Sequence, residues 1–265
     1  CETMTMTKNQ VKTRDETCPV HGGFESKQQE QFDGGFVWTG CGRCEFEARQ
    51  SSDPEVRSKA QAARDARMVN AALLESQIPP RFRLATLDNY RTDFAPDQQS
   101  PVLARCKAYA DDFASNWKVG RSLMLLGTMG TGKTHLACAI IQQVLRTEGL
   151  AGATARYITA PDLILGVKDT FGRKGKSESE VYESLHAPDL LVIDEVGAQH
   201  GTDFERQVLF QVVNGRYERL LPTILISNLS LVDIRRFIGD RVIDRLCDAN
   251  GEVVLLRWKS VRGSV

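Results

Sequence analysis

SLMLLGTMGTGKTHLACAI, residues 122–140, passes from a short apolar run through a glycine-rich turn into an amphipathic run that opens on Lys-Thr. The turn, GTMGTGKT (127–134), fits the phosphate-loop pattern with Gly127, Gly132, Lys133 and Thr134 in register. Backbone amides can close around phosphate oxygens only where side chains stay out of the way, which accounts for Gly127, Gly130 and Gly132. Lys133 is placed to reach the β- and γ-phosphates, and Thr134 to offer its hydroxyl to Mg²⁺. A helix starting near Lys133 adds its positive end to the same spot. The turn leaves an apolar strand and enters a helix, the context such a loop requires.

Outward from this turn, short apolar runs alternate with helical patterns. SLMLLG (122–127), ARYITA (155–160), DLLVIDEV (189–196), TILISN (223–228) and EVVLLRW (252–258) read as strands, and their nearly unbroken apolar character suits a parallel sheet covered on both faces. THLACAIIQQVLRTEG (134–149) and FERQVLFQVVNGRYER (204–219) read as helices between them. The alternation predicts an α/β domain, doubly wound around a parallel sheet.

In such a sheet, ligands bind beyond the C-terminal ends of the strands. DLLVIDEVG ends there on Asp194 and Glu195, one carboxylate for Mg²⁺ and one to orient and polarise an attacking water. TILISN ends on Asn228, which can both donate and accept and could hold the same water opposite Glu195. Alone it would pass for a turn residue. The nucleotide-binding set is therefore Gly127, Gly130, Thr131, Gly132, Lys133, Thr134, His135 and Asp194, and the chemistry is that of an ATPase with ATP and Mg²⁺ as its cofactors.

The N-terminal part differs in composition. Cys18-x-x-His21 and Cys41-x-x-Cys44 offer three thiolates and an imidazole in two close pairs, the donor set of tetrahedral Zn²⁺. Four protein ligands indicate a structural rather than a catalytic ion. Residues 15–50 lack helical periodicity, and about thirty residues without helices would depend on the metal to fold. DPEVRSKAQAARDARMVNAALLESQ (53–77) then reads as a connector helix, with Asp53 as N-cap, Pro54 at the first helical position and IPP (78–80) as its stop. The expected domains are 1–52 for the metal module, 53–80 for the connector and 81–265 for the ATPase.

Lys+Arg and Asp+Glu balance at 34 each, so bulk charge does not mark the chain as a polyanion binder. No apolar run approaches the roughly 20 residues of a membrane span, no hydrophobic signal segment opens the chain, and a cytoplasmic location is expected. The polar opening CETMTMTKNQ lacks an initiator methionine and is expected to carry vector or processing residues. Of the seven cysteines, Cys106, Cys138 and Cys247 stand singly in apolar or helix-like surroundings, as buried thiols do.

From residue 80 to the end the sequence resembles the DnaC/DnaI-type helicase loaders of the AAA+ class, with the transposition helper ATPases called IstB as near relatives. IPPRFRLATLDNY, GTMGTGKTHLACAI, DLLVIDEVG, VVNGRYERLLPTILISNLS, IGDRVIDRL and LRWKSVRGSV carry the resemblance, including the final Trp258-x-Ser260-x-Arg262. It implies an AAA+ core without a C-terminal helical lid. It also implies an arginine, Arg262, that contacts the γ-phosphate in its own subunit, and another, Arg245 or Arg241, that reaches a neighbour's ATP. IGDRVIDRL (238–246) places these last two a helical turn apart, where Asp240 and Asp244 could equally make them a solvated, salt-bridged face. Lys168, Phe171, Arg173, Lys174 and Lys176 fall where related loaders contact DNA, though the stretch also reads as a surface loop. The partners implied are a hexameric replicative helicase, single-stranded DNA and further copies of the chain, with no membrane. The alternatives are a transposition helper acting on DNA and a nucleotide-gated adaptor with little turnover. DnaI-type loaders carry an N-terminal zinc-bearing domain that engages the helicase, which suits the module here.

Overall fold

The computed structural model describes residues 11–147, 150, 152–171, 175–198 and 201–261. By its internal contacts the chain divides into two units, one ending at Leu74 and one beginning at Glu75.

The first unit opens with a three-stranded antiparallel sheet of β1 (Thr13–Cys18), β2 (Gly22–Glu30) and β3 (Phe36–Trp38) in the order β1-β2-β3. Two helices follow, α1 (Gly42–Gln50) and α2 (Pro54–Glu75). Helix α1 corrects the expectation that this segment has none. It buries no residue, so no apolar stripe announces it. It is tied instead by polar contacts, with Glu45 accepting from Arg67 of α2 at 2.9 Å. Helix α2 starts as its sequence requires: Asp53 Oδ1 accepts the Glu55 N–H at 2.9 Å, and Pro54 follows the cap. Asn70 of α2 binds the turn after β2, accepting from Phe32 N at 2.8 Å and donating to Glu30 O at 3.0 Å.

The second unit begins with a single 3₁₀ turn at Pro80–Phe82, then α3 (Pro96–Asp111) and α4 (Phe113–Val119). It continues through β4 (Leu123–Gly127), α5 (Lys133–Arg146), β5 (Ala155–Thr159), α6 (Ala160–Lys168), α7 (Glu178–His186), β6 (Leu190–Val196) and α8 (Asp203–Glu218). It ends with β7 (Thr223–Ser227), α9 (Leu231–Ile238), α10 (Asp240–Cys247) and β8 (Glu252–Leu256). The five strands form one parallel sheet in the order β5-β6-β7-β4-β8. The expected strands all form, with ends moved by no more than a residue or two, because runs such as Leu123–Leu126 and Leu190–Ile193 are buried on both faces. Among the described residues no helix follows β8.

Two details place the functional ends of the strands. Arg216 of α8 is fully buried and donates to the carbonyls of Leu185, Pro188 and Pro222 and to the Thr223 hydroxyl, which pins the starts of β6 and β7. At the other end the pairing of β6 with β7 slips between Ile193 and Val196. Successive side chains on a regular strand point to opposite faces. The bulge, with Glu195 at φ 59°, re-aims the chain where Asp194 and Glu195 stand side by side in sequence.

Candidate functional site

Strand β4 delivers the chain to the phosphate loop, and α5 begins at Lys133 with Gly132 as its N-cap. Gly130 and Gly132 have φ of 78° and 91°, values an L side chain rarely takes. Space forbids a side chain as well. A Cβ on Gly132 would come within 2.6 Å of the Tyr90 ring, and one on Gly130 within 2.0 Å of Ser260 Oγ. The loop is thus packed between two segments distant in sequence. Tyr90 donates its hydroxyl to Thr131 O at 2.9 Å, and Val261 donates its N–H to Gly130 O at 3.0 Å. His135 lies edge-on to Tyr90 with ring centroids 5.4 Å apart, and its Nε2 donates to Thr86 O at 2.9 Å.

Lys133 is buried, and its Nζ donates to Gly127 O and Thr128 O, each at 2.7 Å. Thr134 donates its hydroxyl to Asp194 Oδ2 at 2.7 Å. That spacing is near the about 3 Å between neighbouring oxygens around Mg²⁺, so these two oxygens fit adjacent positions on such an ion. Asp194 is 4% exposed. Its Oδ2 also accepts the Tyr157 hydroxyl at 2.9 Å, and its Oδ1 accepts the Glu195 N–H at 2.6 Å. Burial, reinforced by the Asp194 carboxylate, holds the Tyr157 hydroxyl far above its ordinary pKa, so it remains a donor.

Glu195 is exposed, by contrast. It lines a cleft of about 210 Å³ with Lys133, Thr134, His135, Asp194 and Asn228, and Arg81 and Phe82 close the cleft from the 3₁₀ turn. The structure therefore brings Lys133, Thr134, Asp194, Glu195 and Asn228 into one place. A second hollow of about 230 Å³ adjoins it, sharing Gly132, His135 and Val261 and lined by Asn89, Tyr90, Arg91 and Phe94. Tyr90, Tyr157, Arg81 and Phe82 had no role in the reading of the sequence. The aromatic in LDNY was the available signal for Tyr90, whereas Tyr157 reads as an ordinary strand tyrosine.

The remaining arginines divide. Arg262 lies outside the described residues, as do Arg173 and Lys174 of the basic stretch. Arg241 and Arg245 both belong to α10, which Gly239 separates from α9. Asp240 and Asp244 do not serve them. Both pair with Arg235, at 2.9 and 3.7 Å. Arg241 is exposed. Arg245 is half-buried, donates Nε to Asn214 Oδ1 at 2.7 Å, and lies 5.1 and 5.5 Å from the ring centres of Phe210 and Tyr217. In the basic stretch Phe171 is 58% exposed, with its ring 5.9 Å from that of Phe204, over which Lys168 Nζ lies at 5.6 Å.

In the first unit Cys18, His21, Cys41 and Cys44 converge, with their donor atoms all within 4.8 Å of one another. His21 Nδ1 faces the three sulfurs at 3.3, 3.6 and 3.7 Å, and Cys18 and Cys44 are 3.4 Å apart at sulfur. A tetrahedral Zn²⁺ spaces thiolate and imidazole donors by about 3.5–3.8 Å, so the residues present fit it. The other ring nitrogen, Nε2, donates to Glu47 at 2.9 Å, the outer carboxylate that fixes a metal-binding imidazole. Backbone N–H groups of Val20 and His21 lower the Cys18 thiol to about 6, whereas the hydrogen bond with Cys18 and burial raise Cys44 to about 12, as expected where several thiols crowd one place.

Comparison with known proteins shows the family. Residues 54–262 match the family of IstB-like ATP binding proteins. The replicative helicase loader DnaC of Escherichia coli (strain K12) is 33% identical over 190 residues, 72% of this chain and 74% of that one. DnaC of Buchnera aphidicola subsp. Acyrthosiphon pisum is 31% identical over 217 residues, 82% of each. The crystal structure of the DnaC helicase loader superimposes with a TM-score of 0.58 at 24% identity, covering 67% of this chain and 99% of that one, and shows the same fold. The chain belongs to the IstB/DnaC family of AAA+ ATP-binding proteins.

Proposed function

We propose that this protein is an ATP-hydrolysing loader that binds a replicative DNA helicase and deposits it on single-stranded DNA. One observation carries the proposal. Lys133, Thr134, Asp194, Glu195 and Asn228 line a single cleft in a chain that is 33% identical to DnaC over most of both lengths.

The loop amides and Lys133 hold the phosphates, and Thr134 and Asp194 hold Mg²⁺. The ion, when bound, offsets charge on the β- and γ-phosphates. Glu195 orients and polarises the attacking water, and Asn228 hydrogen-bonds to it from the neighbouring strand end. Arg262 completes the site from the same subunit. Arg245 supplies the charge across a subunit boundary, so the active form is an oligomer bridged by ATP, and Asn214 and the two rings hold its guanidinium ready. Arg241, a turn away, is the second candidate. Lys168, Phe171 and Lys176 favour single-stranded DNA, by attraction to the backbone and stacking on the exposed ring. Zn²⁺ on Cys18, His21, Cys41 and Cys44 gives the N-terminal unit the rigidity to grip the helicase.

Mixing the protein with its host helicase and ATP is expected to give a defined complex on a sizing column. Single-stranded DNA added to that complex is expected to raise phosphate release. A stable complex with a transposase and duplex DNA, and none with the helicase, would favour the transposition-helper alternative.

The arginines can be separated by a paired substitution. Arg245→Ala should retain ATP binding yet lose about 10³-fold or more of the assembly-dependent turnover. It should also cost about 1–2 kcal/mol of stability as the Asn214 bond and ring contacts go. Arg241→Ala should leave thermal melting unchanged. If instead Arg241→Ala alone abolishes assembly-dependent turnover, the roles are exchanged.

A further inference from the structure

We propose that Tyr157 is a positioning residue for Asp194, and through it for the divalent cation that accompanies ATP; the proposal rests on the nucleotide site described above. A carboxylate as buried as Asp194 needs donors around it. It has three: the Thr134 and Tyr157 hydroxyls on Oδ2, at 2.7 and 2.9 Å, and the Glu195 N–H on Oδ1, at 2.6 Å. Thr134 belongs to the loop that closes on phosphate, and the Glu195 amide belongs to a bulged strand end. Tyr157 is the one side-chain donor among the three that comes from outside both segments. It is 7% exposed and fixed in register on β5 opposite Val192 of β6. Its hydroxyl therefore sets the orientation of the carboxylate from behind, as outer partners do for metal ligands.

Tyr157 is held at its other end as well. Strand β5 is an edge of the sheet, and its exposed side is covered by the segment that follows α2. The Tyr157 N–H donates to Ser76 O at 2.7 Å, and Arg156 Nε donates to Gln77 Oε1 at 3.1 Å. One residue thus joins the segment after α2 to the cation's carboxylate, through its backbone on one side and its hydroxyl on the other.

Tyr157→Phe keeps the ring and its packing and removes only the hydroxyl. In the full-length chain, binding of a fluorescent ATP analogue is titrated with Mg²⁺ and measured separately in excess EDTA. The half-saturating Mg²⁺ concentration is expected to rise about 10-fold, the low end of what losing such an outer partner costs. Affinity for the analogue in EDTA is expected to equal that of the wild type. A merely structural role would weaken binding equally in both conditions, and that result, or a Mg²⁺ curve superimposable on the wild type, overturns the proposal. Wild-type protein that binds the analogue in neither condition would instead overturn the nucleotide site itself, and is recognised without the variant.

Discussion

Glu195→Gln is expected to reduce ATP turnover by about 10²- to 10⁴-fold while leaving ATP affinity essentially unchanged. The substitution keeps the side chain's shape and removes the charge that polarises water. No neighbouring carboxylate can replace it. Asp194 is buried, is held by Thr134, Tyr157 and the Glu195 amide, and is the carboxylate proposed for Mg²⁺, not for water. Glu195 alone is exposed toward the cleft, from a residue at φ 59° that costs about 1 kcal/mol or more to maintain. A strained, solvent-facing carboxylate has little to contribute to stability, which supports the role in chemistry proposed for it. Phosphate release and equilibrium binding of a fluorescent ATP analogue, measured side by side, separate the two effects. Equal turnover in variant and wild type would remove Glu195 from the mechanism. Negligible turnover of the wild type, even with helicase and single-stranded DNA, would point to the adaptor alternative.

The sheet was legible because its evidence is local. Apolar runs of four to six residues buried on both faces announce parallel strands; β6 carries Asp194 and Glu195 of the cleft near its end, and Asn228 directly follows β7. The phosphate loop was legible for the same reason, since eight consecutive residues carry it. What escaped depends on pairing across the chain. The slip between β6 and β7 belongs to no single strand, so the bulge itself could not be read from DLLVIDEV. Tyr90 reaches Thr131, and Tyr157 reaches Asp194, over about forty residues of sequence each. Asp240 and Asp244 looked like partners for Arg241 and Arg245 because they share a helix, but Arg235, on the preceding helix, takes both. Helix α1 was not legible because it buries no apolar stripe and is tied instead near its start, by the Cys41–Cys44 cluster and the Glu45–Arg67 ion pair.

Loss of a metal from the Cys18, His21, Cys41 and Cys44 cluster is expected to destabilise the first unit strongly. Among the described residues of the first unit, Cys18, Ser26, Phe32 and Leu73 are the buried side chains, and one of them is a candidate ligand. So small an interior cannot offset the entropy of ordering three strands and a helix. A tetrahedral Zn²⁺ on these four side chains would join the end of β1, the turn after it and both ends of the Cys41–Cys44 step, which is also the start of α1. Structural Zn²⁺ in small modules contributes about 10 kcal/mol or more, so its removal is expected to unfold this sheet and α1 outright. The expected result with a strong chelator, or with Cys44→Ser, is loss of hydrogen-exchange protection at β1 and β2 and rapid proteolysis within residues 11–50. Binding of ATP should persist, because every side chain of the cleft comes from the unit that begins at Glu75. Association with the helicase should be lost along with the metal. Metal analysis of the untreated protein is expected to give one Zn²⁺ per chain. Acidification should release it as the thiolates and His21 take up protons, so stability of this unit falls with falling pH. Retained protection at β1 and β2 in metal-free protein would mean that the four side chains cluster for packing alone.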